Sequence, residues 1–542
     1  MNKKYLIIGA LSCVAFFSAC KKNNNNGAEI EEIHPDDLPP IDNSIPSVNI
    51  LWNHASAKKV SHTTFFSDYG RIHRAADGNL VMAYGFGPDV NNTRISIAVK
   101  RSTDNGVTWS EPNVVMNGVN QANYTGFANP EMLVMKNGWL MLAFEGKGKP
   151  DDNNKNNMQF IISKDNGLTW GQPQIVAKGR AWEPGMIQLP DGEIEMFWSS
   201  EAKWWPSSDV QQEILMARSK DNGATWATPE TVAYTYGMRD GMPTPVILKD
   251  NKGMIFTIES IRDGKSPYVL WSSMAARWKY KTLGTSTNGR RWLSTVDNIF
   301  GAGPHLLQLE TGETLISFHS KDGRNVSNFH KEIMLVYRGN GLAKNAVRIS
   351  DPWLDLPLDQ GAYYSQMFMK DQKNIIMATT RSFANGSSEV WTKEGRIVHN
   401  LPKAKWTVKE FSSEEPSNNR LADRLLDNDP TTFWITRYSV NATNYPNHFV
   451  TIDMGEKLEL DGFSVAQKPG DRKIATMEIL TSDDNITFTS RGTFTLKTKD
   501  REEHLLPLPA KISARYFKLV PKTGADAQRQ PGLAEVGAFT FD

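Results

Sequence analysis

From residue 77 onward the chain alternates between a tight polar turn and a short run of apolar side chains. The unit occurs at 77–84 (DGNLVMAY), 137–144 (NGWLMLAF) and 191–198 (DGEIEMFW), and more weakly at 252–259 (KGMIFTIE), 311–318 (TGETLISF) and 371–378 (DQKNIIMA). Gly after Asp or Asn supplies the positive φ of a hairpin turn, and the apolar run that follows reads as a strand. Six copies at a spacing of roughly 60 residues, about the length of a four-stranded sheet with its turns, predict a six-bladed β-propeller. An early strand near 48–53 is expected to close the ring against the last blade, since an open ring leaves unpaired edges.

A second repeat interleaves with the first. Ser-x-Asp-x-Gly-x-Thr-Trp stands at 102–109 (STDNGVTW), 163–170 (SKDNGLTW) and 219–226 (SKDNGATW), with a degraded copy at 285–292 (TSTNGRRW). Asp and Asn cap such a turn through their side chains and Gly takes a positive φ. Thr and Trp are expected to begin the returning strand. These residues read as structural, not catalytic.

The propeller is placed at 47–403. After about residue 401 both repeats stop, and a different all-β unit fills 404–542. Ahead of the propeller, Lys3 and Lys4 precede an apolar run that ends at Ser18-Ala19-Cys20. The run is too short for a standard membrane span. It resembles the signal and lipobox of bacterial lipoproteins, which implies a signal at 1–20, acylation of Cys20 and a bacterial cell-envelope location. Residues 21–46, rich in Asn, acids and Pro, read as a flexible tether. Cys13 lies inside the signal, so the mature chain holds one cysteine and neither a disulfide nor a thiol-based site.

Lys and Arg number 61 and Asp and Glu 60, a balance that gives no electrostatic reason for nucleic acid or an anionic bilayer as partner. The only membrane contact expected is the lipid anchor, and a monomer is expected. Sixteen Trp suit packed sheets and also stacking on sugar rings.

The innermost strand of each blade should precede each turn repeat and point into one mouth of the axial channel. Those segments carry Arg71, Glu131, Glu183, Arg239 with Asp240, His305, and Tyr363 with Tyr364. A purely structural repeat would place similar residues at equivalent points, so six different polar groups suggest a convergent site. Glycoside cleavage needs two carboxyl groups, or a carboxyl and an activated tyrosine. The acids available are Asp89, Glu131, Glu183, Asp240 and Glu259. Most acids at strand ends are merely solvated or ion-paired. Glu183 stands out because it lies between Trp182 and Pro184, where burial beside an aromatic would suit a general acid.

The Asp-box turns, the blade count and the polar inner strands resemble the sialidase superfamily. Arg71-Ile72-His73 is similar to the start of true sialidases, with His in place of Pro. Asp89 is placed like their acid/base, and Glu183 and Tyr364 like their Glu–Tyr pair. The second arginine of their carboxylate-binding triad is missing after Glu183, where the chain reads 197–201 (FWSSE). Residues 182–184 (WEP), 239–242 (RDGM) and 256–260 (FTIES) resemble, in order and spacing, segments of the exo-arabinanases of glycoside hydrolase family 93. That resemblance implies Glu183 as general acid/base, Glu259 as nucleophile and Tyr363 or Tyr364 assisting. It makes Asp68, Arg71 and His305 contacts to the sugar chain, with no catalytic cofactor.

In the C-terminal unit, 425–434 (LLDNDPTTFW), 449–455 (FVTIDMG), 514–519 (ARYFKL) and 534–536 (AEV) resemble coagulation factor 5/8 type C, or discoidin, domains. The resemblance implies a jelly-roll β-sandwich related to carbohydrate-binding modules. Asp427, Asp429, Thr432 and Glu535 resemble the family's calcium loop, and such an ion would be structural. Trp434 reads as core. Tyr438, Tyr445 and His448 are candidate sugar contacts.

Three readings stay open at this point. The chain is a retaining exo-glycosidase on a neutral oligo- or polysaccharide, a sialidase, or a glycan-binding lipoprotein without catalysis.

Overall fold

The computed structural model describes residues 47–62, 65–87, 95–207, 209–284, 289–297, 299–353, 356–429, 431–439 and 444–541. The signal, Cys20, the tether and Asp89 lie outside these residues.

Six blades of antiparallel strands stand around one axis, the first joined to the sixth where Phe66 pairs with Ser388. Their inner strands are Phe66–Arg74, Tyr124–Val134, Ala181–Gln188, Asp240–Ile247, Ala302–Gln308 and Gly361–Met369. Each pairs with a second strand built from one of the six turn repeats: Leu80–Gly87, Leu140–Gly148, Ile194–Ser200, Gly253–Ser260, Thr314–Ser320 and Asn374–Ser382. Both faces of these second strands are covered by neighbouring blades, so they are buried almost throughout and not on alternate residues. One apolar cluster fills each of the six gaps between blades, for example Leu140, Leu142 and Phe144 against Val81 and Ala83.

The ring is closed by the first described strand. Val48–Lys59 pairs antiparallel with Ser388–Asn400 and becomes the outer strand of the sixth blade. Val48, Ile50 and Trp52 pack into the core between blades five and six.

The Asp boxes are turns with one recurring geometry. Ser102 Oγ donates to Asp104 Oδ1 at 2.8 Å and accepts Gly106 N–H at 2.8 Å, while Asp104 Oδ1 accepts Thr108 N–H at 2.8 Å. The boxes beginning at Ser163 and Ser219 repeat these bonds. Gly106, Gly167 and Gly223 have φ of 86°, 83° and 90°, and a Cβ there would press on Ile376, Val81 and Met141 of the preceding blade. The boxes therefore seat each blade on its neighbour. Trp109 precedes the returning strand Asn113–Met116 and does not begin it. Half of the degraded copy, 285–288, lies outside the described residues.

The jelly-roll sandwich that follows is built mainly from Thr407–Phe411, Val450–Gln467, Ile474–Ser482, Thr489–Thr495, Glu503–Gly524 and Gly532–Thr540. Its core holds Trp434, Phe463 and Phe517. It is tied to the propeller by a short ladder, His399 opposite Thr540, and by ion pairs of Arg348 with Glu502 (3.1 Å) and Lys499 with Asp322 (3.0 Å).

Candidate active site

Each inner strand carries a bulge at the same register. Two residues oppose one at 69–70, 129–130, 183–184, 242–243, 303–304 and 364–365. The first residue of each bulge has positive φ: Tyr69 60°, Asn129 52°, Glu183 41°, Met242 55°, Gly303 59° and Tyr364 46°. In four blades the second is Pro130, Pro184, Pro243 or Pro304, which has no N–H to withdraw from the ladder. Such bulges re-aim side chains, and a non-glycine residue held this way costs on the order of 1–2 kcal/mol. Five of the six blades bear this strain and the fifth blade meets the same conformation with Gly303, so the bulge belongs to the fold. The chemistry lies in which residue each blade places there.

Aligned on the bulge, the candidate residues separate into levels. Glu183 and Tyr364 share the bulge position with Tyr69. Arg71, Glu131 and His305 sit two residues further along their strands, Tyr363 one residue before the bulge and Asp240 two before. On the second strands, the residues opposite the position before the bulge form another ring: Gly85, Glu145, Ser199, Glu259, His319 and Thr380.

The deeper level is a charge-paired plug. Arg71 Nε donates to Glu131 Oε2 at 2.7 Å and its guanidinium lies 4.0 Å from the Tyr69 ring centre. Burial opposes the charge on Glu131, but Arg71 and a hydrogen bond from His73 outweigh it and hold the carboxyl at about 2. Burial, with Arg71 adding to it, pushes His305 down to about 3, so its ring is neutral.

The mouth level brings together Glu183, Glu259 and Tyr364. Ser199 Oγ donates to Glu183 Oε2 at 2.9 Å and accepts Met242 N–H at 2.9 Å. Glu259 Oε2 accepts Gly303 N–H at 2.8 Å. A Cβ built on Gly241 would lie 3.4 Å from Ser199 Oγ and 3.5 Å from Glu259 Oε1, so Gly241 stands between Glu259 and the serine that holds Glu183. Thr380 Oγ1 accepts Tyr69 N–H at 3.1 Å, so Ser199, Glu259 and Thr380 each latch the bulge of the next blade. Glu259 spends one oxygen on that latch and keeps the other toward Gly241. The more deeply buried acid of the pair is Glu259, not Glu183, and burial raises its carboxyl above the usual range despite the Gly303 N–H. Tyr364 is half-buried, its ring 5.2 Å from Tyr69 and 5.5 Å from His319.

Several expectations need correction. Asp240 has no exposed surface, and its carboxylate is held by Arg291 at 2.7 Å and Ser260 at 2.8 Å, which makes it a buried structural ion pair. Tyr363 is fully buried, stacked on His330 at 4.9 Å. Asp68 is likewise fully buried. Arg71, Glu131 and His305 line the channel below the mouth. Arg239 is paired with Glu201 at 2.6 Å, and the other oxygen of Glu201 takes Arg180 at 2.6 Å.

Sequence reasoning missed Ser199, Tyr69 and His319. His319 Nδ1 lies 2.8 Å from the buried Glu332, and its Nε2 is buried without a hydrogen-bond partner beside Gly303.

In the sandwich, Asp427 Oδ2 accepts Thr432 Oγ1–H at 2.7 Å, whereas the Asp429 side chain turns to Thr431. Glu535 pairs through Oε2 with Lys403, and its Oε1 is buried without a hydrogen-bond partner. Burial, with Asp427 beside it, raises Glu535 to about 8 against the pull of Lys403. An orphaned carboxylate oxygen next to a second carboxylate fits a hard cation, with Asp427 and Glu535 as its side-chain donors. No group of three His, Cys, Asp or Glu poised for a metal occurs among the described residues. His448 is buried and bonded to the Arg529 carbonyl at 2.9 Å, while Tyr438 is exposed beneath Arg472.

Residues 69–290 match the BNR repeat-like domain and residues 407–536 the F5/8 type C domain. Two curated relatives are sialidases. The one from Micromonospora viridifaciens is 23% identical over 589 aligned positions, covering 85% of this chain and 87% of that protein. The one from Clostridium perfringens is 26% identical over 231 positions, covering 38% of this chain and 56% of that protein. A protein of unknown function from Dyadobacter fermentans shares the fold, with a TM-score of 0.51 and 15% identity over 65% of this chain and all of that one.

Proposed function

We propose that this chain is an exported glycoside hydrolase, anchored through Cys20 in a bacterial envelope, that releases neutral sugar units from the end of a glycan. The observation that carries it is the pair Glu183 and Glu259 on adjacent blades, with Gly241 between Glu259 and the Ser199 hydroxyl that holds Glu183. By resemblance Glu183 is the acid/base and Glu259 the nucleophile. Tyr364, set at the same level, supports the reacting sugar.

Charge accounting supports a neutral substrate over sialic acid. Gripping a substrate carboxylate calls for a cluster of arginines that can bind it bidentately. Here Arg71 is matched to Glu131, Arg180 and Arg239 to Glu201, and Arg291 to Asp240. The sialidase relatives favour the second reading, an enzyme on sialosides.

The test is hydrolysis of arabino-oligosaccharides, aryl arabinofuranosides and sialyllactose by wild type, Glu183→Gln and Glu259→Gln. The expected result is release of neutral sugar, with each variant slowed on the order of 10²–10⁴-fold at unchanged Tm. Cleavage of sialyllactose alone would select the second reading. Equal rates in all three proteins would remove both acids from the chemistry.

A further inference from the structure

Beside the mouth, between blades two and three, lies a cavity of about 170 Å³. Its wall includes Thr125, Glu145, Lys147, Asp151, Arg180 and Trp182. We infer that this cavity is an outer carbohydrate subsite, which takes one neutral sugar ring of a glycan whose terminal unit lies between Glu183 and Glu259. The inference rests on the proposed hydrolase and extends it to the second sugar.

Position comes first. Trp182 immediately precedes Glu183, and Glu145 occupies in blade two the register position that Glu259 occupies in blade four. The cavity therefore adjoins the acid pair on the same rim. Its volume is below the ~300 Å³ at which pockets begin to hold drug-sized ligands, the scale of a single ring and not of a chain.

The lining favours a polyhydroxylated neutral ligand. Two cations and two acids line the cavity, and they are already matched: Lys147 with Glu145 at 3.4 Å, Arg180 with Asp151 at 2.5 Å. A ligand with net charge would leave one partner of these pairs uncompensated, whereas hydroxyl groups can donate to the acids and accept from the cations. Trp182 forms part of the wall, and it is held in place. Arg180 lies 5.0 Å from its ring centre and 3.7 Å from that of Trp205, and Lys147 Nζ lies 5.3 Å from Trp182. Arg180 is itself fixed by Glu201 and Asp151, so the wall is formed before any ligand arrives.

Thr125 is exposed on the cavity wall, so Thr125→Trp fills the space without disturbing a core. The experiment compares kcat/KM for arabinotriose and for 4-nitrophenyl arabinofuranoside, whose aglycone is no sugar, in wild type, Thr125→Trp and Lys147→Ala. The expected result is a loss of about tenfold or more on the trisaccharide, carried by KM, with the aryl glycoside within about twofold. Equal losses on both substrates, or none on either, would overturn the subsite. If neither substrate is hydrolysed, the hydrolase reading fails. Calorimetric titration of arabinotriose and galactotriose into wild type and Thr125→Trp then decides the cavity by itself. Weaker binding by the filled variant supports the subsite, and identical binding, or none by wild type, rejects it.

Discussion

Ser199 Oγ gives its proton to Glu183 Oε2 and takes the backbone N–H of Met242, both at 2.9 Å, so one hydroxyl ties an acid of blade three to the bulge of blade four. The bond fixes the direction of the Glu183 carboxylate, whose own backbone sits in a strained bulge. A hydrogen bond to a charged group contributes roughly 1.5–3 kcal/mol. Ser199→Ala should therefore lower kcat by about tenfold or more, with KM little changed, because the loss is one of aim. Ser199→Thr keeps the hydroxyl and should recover most of the rate. Steady-state kinetics on the three proteins check this, and a rate untouched by Ser199→Ala would mean that Glu183 needs no such support.

The pH dependence follows from burial. Glu259 holds its proton more tightly than a free carboxyl. As nucleophile it must be ionised, so kcat/KM should fall as pH drops through its raised pKa, placing the acid limb above the usual carboxylate range. If Glu259 were instead the general acid, its proton would be the one needed, and it would set the alkaline limb. The pH profile of Glu259→Asp separates the two roles, since only the limb governed by residue 259 should move.

The sandwich offers a prediction about metal. Glu535 is held protonated up to about pH 8 when only Lys403 and Asp427 face it. A calcium ion binding Asp427 and Glu535 would need both ionised, so binding should release a proton near neutral pH. Saturation at a hundred times Kd stabilises the bound fold by about 2.7 kcal/mol. Millimolar calcium should raise the Tm of the sandwich transition and chelator should lower it again, with Glu535→Gln insensitive to both. A Tm indifferent to calcium in wild type would identify Lys403 as the only cation of that loop.

The architecture was legible because its signals are local. Turn chemistry and apolar runs recur in every blade, and the first strand was forced onto the last blade by the need to cap an edge. Counting back from the turns reaches the bulge at the same place in five blades, whereas the turn of blade four, between Ile247 and Met254, is one residue longer and hid the level of Asp240. A signal for it was present: Pro130, Pro184, Pro243 and Pro304 stand inside otherwise good strands, which marks irregular pairing. Aligning on them puts Glu183 with Asn129, Met242 and Gly303, and moves Asp240 two places away toward its partner Arg291. The Asp240–Arg291 pair, the Glu201 bridge between two arginines and the partner of His319 join residues from separate strands and turns. No pattern within one blade could announce them.

Gly303 is where backbone and chemistry can be tested against each other. Its φ of 59° is a conformation alanine reaches at a cost of roughly 1–2 kcal/mol, and an added Cβ would fall 2.8 Å from the His319 ring and 3.0 Å from that of Tyr364. The same residue's N–H is the donor that holds Glu259 Oε2. To admit a methyl group, either both rings move or the peptide tilts and withdraws its proton from Glu259. Gly303→Ala should therefore lower kcat on the order of ten- to a hundredfold and depress Tm by a few degrees. Gly312 provides the control: its φ is 88° and nothing lies within 4 Å of an added Cβ, so alanine there introduces strain alone. Gly312→Ala should lose Tm comparably and keep its kcat. If Gly303→Ala behaves like Gly312→Ala in both measurements, Glu259 does not depend on that N–H for its work.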